Sequence, residues 1–160
     1  MQYCAKGSDF NRYVELFDEQ DNLLGSLDYP KWYSSKAVIT MANGDVYNIT
    51  CSNGWTQSIQ IVKNDAVIAE LKFSWTMNIT LNIGSNLYDI RRPFFKRNYT
   101  VLTGQDTEIA KVTPYFLFSK LSSDFDIEIN DNYKEQVDST IALFLIYCVN
   151  YMRLRHGKAS

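Results

Sequence analysis

Cysteine is scarce in this chain, and the three present, Cys4, Cys51 and Cys148, form no CxxC pair. The only histidine, His156, stands far from two of them, so neither a zinc site of ordinary ligand spacing nor a Cys–His nucleophile is expected. Unpaired thiols in odd number point to a reducing compartment. Charge of one sign is lacking too. The net charge is −2, with basic and acidic residues interspersed, which argues against nucleic acid as a partner. There is no G-x-S-x-G, no P-loop and no G-x-G-x-x-G, so the sequence names no catalytic residue, no metal and no cofactor. The opening "MQYCAKGSDF" lacks the apolar run of a secretory signal. A cytoplasmic protein, able to lie against a membrane surface, is expected. Three N-x-T tripeptides, at Asn48, Asn78 and Asn98, read as polar positions of alternating strands rather than as glycosylation sites.

What is present belongs to a globular chain: 46% apolar residues and 21% charged. Its 160 residues suit a single domain, 1–160, with one core and no need of disulfides. Most of the chain alternates with period two and is rich in Val, Ile, Thr, Tyr and Phe, which predicts strands. The turn signals "EQDN", "ANGD", "KNDA", "IGSN", "TGQD" and "LSSD" separate about twelve of them. They fall near 12–17, 22–28, 36–42, 45–51, 57–62, 66–73, 77–83, 86–91, 98–103, 107–112, 115–121 and 125–130.

The strands repeat. "YVELFDEQDNLLGSLDY" aligns with "SIQIVKNDAVIAELKF" and with "YTVLTGQDTEIAKVTP". Each is a strand, a polar turn, then a small residue (Gly25, Ala69, Ala110) two positions before Leu27, Leu71 and Val112. Second hairpins lie between them, giving three units of four strands over about 12–52, 57–92 and 98–130. Three units are too few for a propeller. A β-trefoil with an appended helix and a closed antiparallel barrel both fit the count.

The segment "NYKEQVDSTIALFLIYCVNYMRLRHG" separates these two. It predicts a helix over about 133–155, with Asn132 as N-cap, Glu135 three residues on and Asp138 in an early turn. Arg153, Arg155 and His156 fill its last turn, before Gly157. Ile141, Leu145, Cys148 and Met152 form one stripe, Phe144, Tyr147 and Tyr151 another, and Leu143, Ile146 and Val149 cover the rest. A helix apolar all round crosses a membrane or is enclosed by protein. The run from Ile141 to Met152 spans about 18 Å, against about 30 Å of bilayer core, and lengthening it would bury Asp138 and Arg153. Twelve strands about 4.8 Å apart, tilted about 40°, close on a radius of about 12 Å, which leaves room for a helix. A trefoil fills its own middle. The expected fold is therefore mainly β: a closed twelve-stranded antiparallel barrel of three four-stranded repeats, enclosing a hydrophobic C-terminal helix.

This order of elements, hairpins ending at "FDIEIN" and then the helix "IALFLIYCVNYM", resembles the tubby C-terminal domain, the LURP-one-related proteins and the phospholipid scramblases. The resemblance is architectural, spans the whole chain and transfers no site residue by residue. The acidic calcium segment and Pro-rich N-terminal region associated with scramblases are not evident. Tubby domains bind phosphoinositides, so the resemblance implies recognition of anionic lipid.

The residues offer three candidate sites. "RRPFFKR" sets Arg91, Arg92, Lys96 and Arg97 around Phe94 and Phe95. The cations are candidate ligands of an anionic headgroup and the phenylalanines candidate membrane contacts; the plainer reading is a strand end with both rings in the core. "LDYPKWYSSK" gathers Tyr29, Trp32 and Tyr33, candidate partner contacts or a lid over the barrel end. "SSDFDIEIND" puts Asp124, Asp126 and Glu128 on one side of a strand, about 7 Å apart. That spacing suits a hydrolase pair or half a cation site, and equally a solvated strand face. The leading expectation is a non-enzymatic domain that binds anionic phospholipid. A protein-interaction module without lipid contact is the alternative, and a hydrolase using Asp126 and Glu128 comes third.

Overall fold

A computed structural model describes residues 1–31, 34–51 and 58–158, with side chains through Leu154. Twelve strands follow one another: β1 (Gln2–Ser8), β2 (Tyr13–Phe17), β3 (Leu23–Asp28), β4 (Ala37–Met41), β5 (Val46–Cys51) and β6 (Ile59–Lys63). Then come β7 (Ala66–Phe73), β8 (Ile79–Ile83), β9 (Asn86–Arg91), β10 (Tyr99–Thr103), β11 (Glu108–Leu117) and β12 (Ser122–Ile129). Each pairs antiparallel with its sequence neighbours, and β1 closes the ring against β12. The barrel is continuous, and the trefoil is not needed.

Two strands differ from those expected. β1 lies outside the predicted set, because its inward positions, Tyr3, Ala5 and Gly7, are mostly small and give weak alternation. Gly7 is small for a reason: a Cβ there would collide with the Ser123 carbonyl oxygen and the Asn11 side-chain amide. The strands predicted at 107–112 and 115–121 are one strand, β11, running through Pro114 opposite Phe125. β10 pairs with β11 only as far as Val112, so the proline falls where β11 has a free edge and a missing N–H is tolerated. The stretch 98–130 thus supplies three strands, and β1 takes the fourth place beside them.

Bulges recur around the ring. In the β2–β3, β6–β7 and β10–β11 hairpins the register slips by one, leaving Leu24, Ile68 and Ile109 as the extra residues. Each stands just before Gly25, Ala69 or Ala110. A bulge bends its strand and raises local twist, which helps a sheet of this width curl to closure. At Gly25 the wall comes so near the middle that a Cβ would lie 2.9 Å from Leu143 Cδ1 and 3.0 Å from the Thr40 carbonyl oxygen.

The middle is filled by α1 (Ser139–Lys158). It begins later than the sequence suggests. Asn132 lies in a short 3-10 turn, Asp131–Tyr133, capped by Asn130, whose Oδ1 accepts from the Asn132 N–H at 3.1 Å. Asp138 is the cap of α1: its carboxylate accepts from the Ile141 N–H at 2.9 Å and its carbonyl from the Ala142 N–H at 2.9 Å. Leu143, Leu145, Ile146, Tyr147, Cys148 and Val149 are wholly buried. Contacts leave the helix in all directions: Leu143 to Gly25 on β3, Phe144 edge-on to Tyr47 of β5, Tyr151 stacked on Phe73 of β7, and Arg153 over Phe125 of β12. No described helix is long and apolar enough to cross a membrane.

Antiparallel pairing gives the barrel two unlike ends. One, where α1 starts, holds the tight turns 18–22, 42–45, 64–65, 84–85 and 104–107, and is called the turn end below. The other, toward which α1 runs, holds the connections 9–12, 74–78, 92–98 and 118–121 and the described residues 29–31 and 34–36. This is the loop end.

Candidate functional site

The 92–98 connection leaves the barrel wall at the end of β9. Asn78, at the end of the neighbouring 74–78 loop, fixes its base by accepting from the Arg92 N–H at 3.0 Å. Phe94 and Phe95 face solvent, 82% and 99% exposed, and pack edge-to-face with centroids 4.9 Å apart. They are not turned into the core. Phe95 holds a left-handed backbone, φ 62°, which is rare for a bulky residue. Arg92, Lys96 and Arg97 are exposed and have no acid within ion-pair distance among the described residues.

Arg91 is different. Its guanidinium reaches Asp89 at 3.1 Å and Asp106 at 2.9 Å. Since Asp106 belongs to a turn at the opposite end, the side chain lies along the outer wall, away from the loop. Three cations, not four, therefore surround the phenylalanine pair.

The other candidates separate. Tyr29 is buried and stacks on Tyr147, with centroids 6.0 Å apart, so it is a core residue rather than a partner contact. Burial pushes its phenol far above the ordinary range. Trp32 and Tyr33 lie outside the described residues. The carboxylates of β12 do not form a site: Asp126 and Glu128 are exposed on the outer wall, while Asp124 is buried and already accepts from the Gly7 N–H at 3.1 Å and from Lys120. Among the described residues no group of His, Cys, Asp and Glu is placed to hold a metal. An open cleft at the turn end is lined by Met1, Tyr3, Asp18, Leu24, Asp131 and Lys134. Two of its polar groups are committed, the Met1 amine to Asp131 at 2.9 Å and the Asp18 carboxylate to Asn22 and Gln20.

Sequence reading missed three residues at the loop end: Phe10, Trp75 and Phe118, which are 71%, 96% and 83% exposed. Nothing in their local sequence marks them. Each sits in a different connection, and only ring closure brings these to one end.

No family model matches the chain, and no curated protein matches it. Among solved structures, the X-ray structure of a protein from Arabidopsis thaliana is similar, with a TM-score of 0.58 and 13% identity, covering 94% of this chain and 91% of that one. At this identity the likeness shows a shared fold, a twelve-stranded antiparallel barrel with one C-terminal helix, and nothing finer.

Proposed function

We propose that this chain is a non-enzymatic binding domain of the tubby-like barrel group, and that it engages anionic phospholipid headgroups through its 92–98 loop. One observation carries the reading. Two adjacent phenylalanines are held almost fully in water, between three cations that no acid among the described residues neutralises. In a bilayer interface each ring gains up to about 1.5–3 kcal/mol by leaving water. Arg92, Lys96 and Arg97 meet phosphate oxygens there, the arginines with two parallel N–H donors each. The attraction is electrostatic in part and weakens with salt. Arg91 is not part of this set, because its charge is already matched. The protein-interaction reading loses Tyr29 to the core and rests on no other described residue.

Flotation with vesicles tests the proposal. Phosphatidylcholine vesicles containing phosphatidylserine or a phosphatidylinositol bisphosphate recover the protein, and recovery falls as salt rises. The triple variant Arg92→Glu, Lys96→Glu, Arg97→Glu loses recovery, while Arg91→Gln keeps it. Equal recovery on neutral and anionic vesicles would overturn the proposal.

A further inference from the structure

We infer that the membrane contact extends along an arc of four connections at the loop end of the barrel, with Phe10, Trp75 and Phe118 inserting beside Phe94 and Phe95, so that the barrel stands end-on to an anionic bilayer. This rests on the lipid reading of the 92–98 loop and extends it to other loops and to an orientation.

Exposure is segregated. Among the described residues, the large apolar side chains more than 60% exposed are Phe10, Trp75, Phe94, Phe95, Phe118 and Leu154. The first five lie in the loop-end connections and the sixth near the end of α1, which points the same way. Elsewhere among the described residues the highest value is 55%, at Val67. Strand order makes the four connections consecutive: 74–78, 92–98, 118–121 and 9–12 follow one another around the rim. The aromatic tips therefore form an arc rather than scattered points.

Charge is segregated in the same sense, which the net value of −2 conceals. The turns at the turn end carry Asp18, Glu19, Asp21, Asp45, Asp65 and Asp106 and no Lys or Arg. The adjoining 130–138 stretch adds Asp131, Glu135 and Asp138 against Lys134 alone. The loop-end connections carry Lys31 and Lys36 besides the three cations of the 92–98 loop, and also Arg12 and Lys120, which are paired with Asp9 and Asp124. In the field of an anionic surface such a molecule turns its loop end inward.

The tips are also held in place. Asn11 ties the 9–12 connection to β12, donating to the Ser123 carbonyl at 2.8 Å, accepting from the Ser123 N–H at 2.7 Å and placing its own N–H on Ser122 Oγ at 3.2 Å. Asn78 ties the 74–78 and 92–98 connections. At the turn end, left-handed backbone is taken by Asp21, Asn64, Asp65, Asp106, Gly44 and Gly84, residue types that accept it readily. At the loop end Phe10, Met77, Phe95 and Leu121 also adopt it, with φ of 57°, 69°, 62° and 51°. Large apolar residues adopt that conformation at a free-energy cost, and here one falls in each of the four arc connections. A lipid interface, with a plane of negative charge over a deformable apolar layer, suits separate tips with cations between them.

The test compares alanine variants on phosphatidylcholine–phosphatidylserine vesicles. Trp75→Ala, Phe118→Ala and Phe10→Ala each lower the partition coefficient about tenfold, with melting temperatures little changed because the side chains are mostly exposed, Phe118 packing only on the half-exposed ring of Phe116. Val67→Ala, at the turn end, changes neither. If the Phe94→Ala, Phe95→Ala double variant abolishes recovery while the other three tips bind as wild type, the end-on contact is wrong and the single-loop reading stands. A wild-type protein that ignores anionic vesicles removes both.

Discussion

The approach of β3 to the helix gives a quantitative test that the barrel wall encloses α1. Gly25→Ala places a methyl 2.9 Å from Leu143 Cδ1, 3.0 Å from the Thr40 carbonyl oxygen and 3.1 Å from Met41 Sδ. The leucine end can give way, but the carbonyl is backbone, so the overpacking cost is about 1–3 kcal/mol, against a smaller gain of about 0.5–1 kcal/mol from replacing glycine within a strand. Leu143→Ala removes a wholly buried side chain and leaves a cavity beside Gly25, at about 2–5 kcal/mol. In the double variant the new methyl enters the space the leucine vacates. Freed on that side, it can also shift off the Thr40 carbonyl, so the double variant costs less than the sum of the two single costs by about 1–2 kcal/mol, within the usual range for residues in contact. Urea unfolding followed by intrinsic fluorescence measures all four corners of the cycle. Additivity within about 0.5 kcal/mol would mean that Leu143 does not pack on Gly25, and the helix would have to sit elsewhere.

Two more predictions concern the ends of the helix and its tyrosines. Asp138→Ala removes the cap on the Ile141 N–H and lowers stability by about 1 kcal/mol, whereas Asn132→Ala, at the cap expected from sequence, lowers it much less in the same urea titration. Burial raises the phenols of Tyr3, Tyr88, Tyr99 and Tyr147, and burial with Asp126 nearby raises Tyr115 to about 12. Since the folded phenols bind protons more tightly than the unfolded ones, their contribution is complete below pH about 10 and is lost as pH rises beyond it. Absorbance at alkaline pH therefore shows a large share of the tyrosines ionising late, together with unfolding. A simple titration of all eleven near their ordinary value, with the fold intact, would contradict the burial described.

Much of the fold was legible because its strongest signals are periodic. Alternation located the strands from Tyr13 to Thr103 to within a few residues, and the apolar girth of Ile141–Met152 required an enclosure. What escaped detection depends on contacts distant in sequence. β1 reads as irregular because Gly7 answers to the Ser123 carbonyl rather than to strand propensity. Pro114 reads as a break because the free edge that β11 has beyond Val112, where β10 no longer pairs with it, cannot be seen in one strand's sequence. At the candidate site the cation–phenylalanine cluster was visible in "RRPFFKR". The removal of Arg91 from it depends on Asp106, in a different hairpin. The arc of Phe10, Trp75 and Phe118 appears only once the ring is closed.

Depth on the membrane tests the central claim most directly. Cys4 and Cys51 are changed to Ser, leaving Cys148, which is buried, and one new cysteine carries an environment-sensitive nitrobenzoxadiazole probe, at Phe118 or at Asp65. On phosphatidylserine-containing vesicles the probe at 118 shifts to the blue and is quenched by nitroxide-labelled lipid, while the probe at 65, at the opposite end, does neither. Equal quenching at both positions, or quenching at 65 alone, would contradict end-on docking through the loop end.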